Sequence, residues 1–320
     1  MKLGFYTLLF SDLELSKALD VAVQLGLDAV EIPSGGFVGY SHCDPGIIIK
    51  DNAKFLEFKR NIEERGLFIS ALSCHANPIH PIKEIAKKHD EDLTNTILLA
   101  EKLGVGVVVT FSGCPGTSDS DITPNWITSS WPEYYLEALE WQWKEKIIPY
   151  WKNKANFAHK HGNIKIAIEM HGGFSVFNPD TLMKLRNASG DNIGCNFDPS
   201  HLFWQKIDPI TAVQKLNESI YHIHAKDTHI DIPNCSENGL LELKPYNDLD
   251  RSWIFRTVGY GHDQLFWKRL VSVLAKVNYD YVLSIEHEDV LMSREEGLRK
   301  AAEILKGAIV RDKPGKMWWS

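Results

Sequence analysis

The stretch IGCNFDPSHLFWQKIDPITAVQKLNESIYHIHAKD, residues 193–227, contains one complete strand–helix–strand unit. Residues 193–197 and 220–225 are short apolar runs with little charge before their ends, which is typical of buried parallel strands. Between them, residues 208–216 carry apolar side chains at helical spacing. A unit of this kind predicts an α/β fold in which helices connect parallel strands.

The same alternation runs along the whole chain. Further strands are predicted at residues 3–7, 29–32, 68–74, 107–111, 164–170 and 281–286. Further helices are predicted at 15–25, 90–103, 134–161 with a kink or break at Pro149, 262–277 and 293–307. The eight strands allow either an open doubly wound sheet or a closed barrel. The first strand–helix turn lacks a GxGxxG or P-loop motif, and polar residues follow several strands, so the sequence predicts a single-domain (β/α)8 TIM barrel over residues 1–320.

Two connections are longer than ordinary loops. Residues 112–132 follow the fourth strand and contain Trp126 and Trp131, whereas residues 227–261 follow the seventh and contain Trp253. Long connections in a compact domain usually form lids or binding loops. Within the second connection, Gly259-Tyr-Gly261 precedes a helix and is a weak candidate for an anion site. The final Trp318-Trp319 pair predicts packing on the barrel or on a partner.

Charge and cysteine content limit the class of protein. The formal net charge of -7 disfavours nucleic-acid binding, which needs basic side chains against phosphates. Five scattered cysteines give no disulfide framework and no thiolate zinc site. The sequence shows no signal peptide and no membrane-spanning run, so we expect a cytoplasmic protein without a membrane partner.

Four successive predicted strands have ionisable residues at or just after their carboxyl ends. These residues are Glu169 and His171, Asp198, His224 with Lys226, and Glu286. An isolated buried carboxylate costs several kcal/mol, which a cation within the cluster would offset. A set of barrel-mouth salt bridges is the alternative. Strand alternation does not separate His222 from His224, and we choose His224 because it lies nearer the strand's carboxyl end.

Three carboxylates and one imidazole favour one divalent ion, with Mn2+, Mg2+ or Co2+ better suited than Zn2+. Four protein ligands leave two octahedral positions for a carbonyl and a neighbouring hydroxyl of a substrate. Such an ion would stabilise the enediolate formed when a proton leaves the carbon between them.

Several motifs resemble the sugar phosphate isomerase/epimerase superfamily of xylose isomerase-like barrels, to which apurinic-site endonucleases are also similar. The motifs are CHANP (74–78), IEMHGG (168–173), NFDPSHLFW (196–204), HIHAKD (222–227), FRTVGYGHD (255–263) and SIEHED (284–289). The resemblance implies a single ion, most commonly Mn2+, on Glu169, Asp198, His224 and Glu286. It also implies that Glu169 and Glu286 form the acid/base pair on the two faces of a bound sugar.

The resemblance implies substrate contacts as well. His75, His201 and Arg256 are expected to contact substrate oxygens. Lys226 is expected either to do the same or to form a salt bridge with Asp227 or Asp198. One departure concerns His171, which lies where related epimerases tend to carry an Asn-Arg pair; it is either an additional general base or a partner that orients Glu169.

Four functions remain open at this stage. The first is a sugar isomerase or epimerase, and the second a lyase that cleaves 3-oxo-glycosides by β-elimination, as in C-glycoside deglycosidases with a small β-rich subunit. The third is an apurinic-site-type nuclease, disfavoured because the fourth strand ends at Phe111 without a metal ligand. The fourth is a non-catalytic sugar-binding barrel. The expected partners are a sugar or oxidised glycoside and either further copies of the chain or a β-rich subunit.

Overall fold

Eight parallel strands close into a barrel in the computed structural model, which describes residues 1–312, 315 and 319. The barrel strands are β1 (Lys2–Tyr6), β2 (Ala29–Gly36), β3 (Phe68–His75), β4 (Val107–Phe111), β5 (Lys165–Glu169), β6 (Ile193–Phe197), β7 (Ile220–Ala225) and β10 (Val282–Ile285), whereas β8 (Asp227–Ile230) and β9 (Trp253–Arg256) form a separate two-stranded sheet. Strands β1 to β7 lie side by side in chain order, and β10 pairs with both β7 and β1. The predicted (β/α)8 barrel is therefore confirmed.

Helices surround the barrel. They are α1 (Leu15–Gln24), α2 (Pro45–Ile48), α3 (Asn52–Glu63), α4 (Lys83–Leu103), α5 (Tyr134–Trp141), α6 (Ile148–Lys160), α7 (Pro179–Ser189), α8 (Pro199–Trp204), α9 (Pro209–Leu216), α10 (Ile232–Asn238), α11 (Gln264–Lys276) and α12 (Arg294–Lys306). Their apolar stripes pack on the strands, and the fully buried Trp151 and Trp267 fill the shell between the two layers. Among the described helices, none is long and apolar enough to cross a membrane.

The observed helix limits differ from the predicted ones where charged residues interrupt the helical spacing of apolar residues. Helix α4 begins at Lys83 instead of residue 90, because its first two turns are rich in lysine and glutamate. The predicted break in 134–161 lies just before Pro149: a π-helical turn, Gln142–Ile147, separates α5 from α6. Pro149 then occupies the first turn of α6, where its missing N–H costs no hydrogen bond.

The connection at residues 227–261 is more regular than a loop. Strands β8 and β9 pair antiparallel, with Asp227 opposite Arg256, and α10 lies between them. Asp227 fixes the following turn, because its Oδ2 accepts backbone N–H bonds from Gly259, Gly261 and His262 at 3.1, 3.1 and 2.9 Å. The candidate anion site at this turn thus binds the chain's own carboxylate.

The connection at residues 112–132, all described, contains neither helix nor strand. It contacts the other long connection through Trp126, which packs against an aromatic cluster of Trp204, Trp253 and Phe255. The two connections therefore meet over the carboxyl end of the barrel. Trp318 lies outside the described residues, and Trp319 is 67% exposed.

Candidate metal centre

Four ionisable side chains converge at the carboxyl end of the barrel. Glu169 ends β5, Asp198 directly follows β6, His224 lies in β7 and Glu286 directly follows β10. These strands are neighbours in the barrel, and one ligand atom of each residue lies within 4.8 Å of the others. The structure therefore brings together the four residues that the sequence predicts as metal ligands.

Several buried polar atoms of this cluster have no hydrogen bond of ordinary geometry among the described residues and lie in ion-pair contact with one another or with Lys226 instead. They are Asp198 Oδ2, His224 Nδ1, Glu286 Oε2 and the neighbouring His201 Nε2. Asp198 illustrates the cause: its Oδ1 accepts the Ser200 N–H at 2.8 Å and caps α8, which leaves Oδ2 for the cluster. Buried polar atoms without ordinary hydrogen bonds are costly. Two carboxylate oxygens and one imidazole nitrogen of this kind fit a divalent cation.

Electrostatics at His224 also favour positive charge in this volume. Its Nδ1 lies 3.1 Å from Glu169 Oε2 and 3.0 Å from Glu286 Oε2. Burial lowers the pKa of His224, but the negative charges of Glu31, Glu286 and Glu169 outweigh burial and raise the pKa well above its ordinary value. The cluster therefore stabilises a cation at the position of the Nδ1 proton.

Glu31, in β2, holds the other side of His224. The Nε2 of His224 lies 2.9 and 3.0 Å from the two oxygens of Glu31, and Ser284 donates a hydrogen bond to Glu31 Oε2 at 2.7 Å. Burial raises the pKa of Glu31, but His224, His222 and Ser73 outweigh it and bring the pKa to about 2. An ionised carboxylate only accepts, so Nε2 carries a proton in either charge state of His224, and Nδ1, which faces the other carboxylates, is the nitrogen whose proton a metal ion would replace.

His222 lies beside this cluster in a different role. Its Nδ1 is 2.9 Å from Asn196 Oδ1 and its Nε2 is 3.2 Å from Ser70 Oγ, so both nitrogens have partners. Asn196 Nδ2 in turn donates to Glu169 Oε2 at 2.9 Å. Glu31, His222 and His224 also lie close enough to bind an ion, but the hydrogen bonds of Glu31 and His222 already occupy their atoms. This second group is a hydrogen-bond network that orients His224 and Glu169.

Two further histidines contact Glu169. His75 Nε2 lies 3.2 Å from Glu169 Oε2, and its ring packs against Phe111 at 4.6 Å between centroids. His201 Nε2 lies 3.3 Å from Glu169 Oε1 and 3.4 Å from Asp198 Oδ2. Burial, followed by the charges of His171 and Lys226, lowers the pKa of His201 to about 3, so this imidazole is neutral. Their predicted substrate contacts remain predictions.

Lys226 forms salt bridges within the cluster. Its Nζ lies 3.3 Å from Asp198 Oδ2, 2.9 Å from Glu286 Oε2 and 3.0 Å from Glu288 Oε2. Burial lowers the pKa of Lys226, but these carboxylates raise it well above its ordinary value. The predicted pairing with Asp198 is therefore present. Asp227 instead binds the 259–262 turn.

His171 and Arg256 lie on the rim. The carbonyl of Gly172 accepts a hydrogen bond from His171 Nδ1, which leaves Nε2 with its lone pair. Among the described contacts, no hydrogen bond joins His171 to Glu169, and its ring instead lies 4.0 Å from that of His201. Burial lowers the pKa of His171. Arg256 is held by Asp289, whose oxygens lie 3.1 and 3.2 Å from Nε.

Related protein sequences match the chain over different lengths. The uncharacterized protein YfiH of Bacillus subtilis is 39% identical over 312 residues, which cover 97% of this chain and 99% of that protein. The inosose dehydratase of Clostridium tetani is 25% identical over 150 residues, 47% of this chain and 48% of the dehydratase.

Solved structures share the fold at low identity. A D-tagatose 3-epimerase-like protein superposes with a TM-score of 0.63 at 22% identity, covering 96% of this chain and 98% of its own. The IOLI protein with a bound zinc atom superposes with a TM-score of 0.61 at 17% identity, covering 97% of this chain and 98% of its own. A xylose isomerase-like barrel of Mycobacterium smegmatis in complex with magnesium superposes with a TM-score of 0.63 at 17% identity and with the same coverage of both chains. The profile of the xylose isomerase-like TIM barrel family matches residues 19–308, and the chain belongs to this family.

Proposed function

We propose that the protein is a divalent-metal-dependent sugar isomerase or epimerase that removes a proton from a carbon next to a carbonyl. The observation that carries this proposal is the largely buried cluster of Glu169, Asp198, His224 and Glu286, in which one ligand atom of each side chain lies within 4.8 Å of the others. Two structural neighbours contain zinc and magnesium, which supports a divalent ion, and we favour Mn2+ for an oxygen-rich ligand set.

Glu169, Asp198, His224 and Glu286 would hold the ion, and its chemistry would be to polarise the carbonyl and stabilise the enediolate. Glu169 and Glu286 come from β5 and β10, and each has an oxygen within 3.1 Å of His224 Nδ1. One of these glutamates would, as a carboxylate, remove a proton from one face of the substrate, and the other would, in its protonated form, deliver a proton to the opposite face, which is the task of an acid/base pair on two sides of a substrate. Lys226 and His201 would bind substrate oxygens beside these carboxylates.

Elimination is the second candidate function. The curated relatives matched over part of their length include inosose dehydratases, and a dehydratase also begins by removing a proton next to a carbonyl. The enediolate then expels a group from the next carbon instead of being reprotonated. Cleavage of a 3-oxo-glycoside is the same reaction with a different leaving group. A β-rich partner subunit, self-association and a cytoplasmic location remain predictions.

Proton exchange separates these functions. The Mn2+-loaded protein is incubated in D2O with free ketoses, inososes and 3-oxo-glycosides, and the products are identified by NMR. Deuterium in an intact sugar supports isomerisation or epimerisation, whereas loss of water or of an aglycone supports elimination. Absence of both with every compound contradicts the proposal.

A variant pair tests the centre itself. Glu286→Gln is expected to lose both Mn2+ binding and exchange, because it removes one charged ligand. Glu288→Gln is the control: this carboxylate also contacts Lys226 but is about half exposed and lies outside the four-residue cluster. If Glu286→Gln keeps full metal content and exchange, the assignment is wrong.

A further inference from the structure

A cavity of about 450 Å3 lies beside the candidate metal centre. We call it the mouth cavity; aromatic and leucine side chains make up most of its wall, which also includes His171, His201 and the charged Glu242, Lys244 and Arg251. His201 also lies within 3.4 Å of Glu169 and Asp198, so the cavity adjoins the centre directly. Pockets that hold small ligands are commonly about 300–1,000 Å3, and this one has room for more than a single functional group.

The cavity wall is largely aromatic and apolar. Trp204 and Trp253 are stacked with centroids 5.1 Å apart and planes 7° apart. Gly172 allows this arrangement, since a Cβ there would lie 2.6 Å from the Trp204 ring. A free sugar in this volume would place hydroxyl groups against hydrocarbon, which is costly without partners. A planar apolar group would instead bury its surface favourably.

Arg251 and Glu242 form a buried ion pair in this wall. Arg251 Nε lies 3.1 Å from Glu242 Oε1, and the Arg251 guanidinium lies 4.6 Å from the centroid of Tyr246 and 4.2 Å from that of Trp253. The charge of Arg251 is therefore compensated within the protein, which leaves the aromatic faces as the main binding surface of the cavity.

We propose that the mouth cavity binds an aromatic substituent attached to the sugar whose carbonyl end occupies the candidate metal centre. The substrate class is thus an aryl-substituted sugar, whichever fate follows proton removal. This inference rests on the proposed function for the sugar end, but the cavity itself needs neither metal nor turnover to bind the aryl group.

Calorimetric binding in the presence of EDTA tests the cavity separately from catalysis. The probes are 4-nitrophenyl and methyl β-D-glucopyranoside, which differ only in the substituent. We expect the aryl probe to bind at least about tenfold more tightly, a difference of about 1.4 kcal/mol. Trp126→Ala should abolish this preference. Trp131→Ala is the matched control, because Trp131 lies in the same connection but is 78% exposed and outside the cavity wall.

A second pair covers the case in which Trp126→Ala does not fold. Leu243→Ala removes a wall residue that is 96% exposed and should weaken the aryl probe, whereas Leu249→Ala, in the same connection, should not. Equal affinity for the two probes, or equal losses in the test and control variants, overturns the inference. Glu286→Gln should bind the aryl probe normally while losing proton exchange, so failure of the proposed function and failure of this inference give different results.

Discussion

Glu31 and His224 form a buried carboxylate–imidazole pair, with both Glu31 oxygens within 3.0 Å of His224 Nε2. Both side chains are fully buried, and they come from β2 and β7 on different sides of the barrel. The pair fixes which nitrogen of His224 faces Glu169 and Glu286. Because a carboxylate behind a ligating imidazole also increases its basicity, Glu31 is a positioning residue for the candidate metal centre.

Glu31→Gln is expected to weaken Mn2+ binding by about 10–100-fold. The amide oxygen still accepts the Nε2 proton, but the negative charge that strengthens the imidazole is lost. Titration calorimetry with Mn2+ measures the change, and Glu288→Gln serves as the control for removing a nearby charge. An unchanged Mn2+ affinity in Glu31→Gln would show that Glu31 supports only the fold.

His171→Asn is expected to slow proton exchange by about 100-fold or more and to leave Mn2+ affinity unchanged. The Gly172 carbonyl holds the proton on Nδ1, and burial lowers the pKa of His171, so Nε2 is an available base near neutral pH. Exchange into D2O and calorimetry on the same preparation measure the two effects. Loss of metal affinity together with exchange would instead assign His171 to the support of the ligands.

The sequence predicts the four-residue cluster because each member follows its own apolar run within a few residues. Glu169, Asp198 and Glu286 need only a barrel to be brought together, and the parallel strands provide it. Glu31 was missed although a charged residue inside the buried run AVEIP is a signal that it needs a partner. That partner lies 193 residues away in β7, a distance that no local pattern encodes.

Other features depend on tertiary contacts in the same way. His222 and His224 point into the same barrel, and only the bonds of His222 to Asn196 and Ser70 separate their roles. Helix α3 was not predicted despite a helical stripe of Phe55, Phe58 and Ile62. The sequence predicts a long loop where β8 and β9 pair, since short strands between turn-forming residues have little period to detect.

The contribution of His42 to stability is expected to fall as pH decreases from 7 towards 5. Its Nε2 donates to the Leu13 carbonyl at 3.1 Å, so its Nδ1 accepts from Thr7 Oγ1 at 3.0 Å and has no room for a second proton. Burial lowers the pKa of His42, so between the folded and unfolded pKa values the unfolded state binds more protons and acid favours unfolding. Urea unfolding at several pH values should show a shallower dependence in His42→Gln. An identical slope in both proteins would contradict this role.

Lys226→Met is expected to destabilise the metal-free protein much more than the Mn2+-loaded protein. Lys226 Nζ lies within 3.3 Å of Asp198 and Glu286, and removing one member of a buried ionic group typically costs about 3–5 kcal/mol, because the remaining charges lose their counterion. A divalent ion among the same carboxylates would supply that counterion, so added Mn2+ should recover most of the loss. Thermal unfolding with EDTA and with Mn2+ measures both states. Lys154→Met is the matched control, since Lys154 is also largely buried and pairs with Asp90 at 2.7 Å on the helical shell, and its loss should be the same in both conditions. If Lys226→Met also costs the same with and without Mn2+, Lys226 does not share its carboxylates with a metal ion.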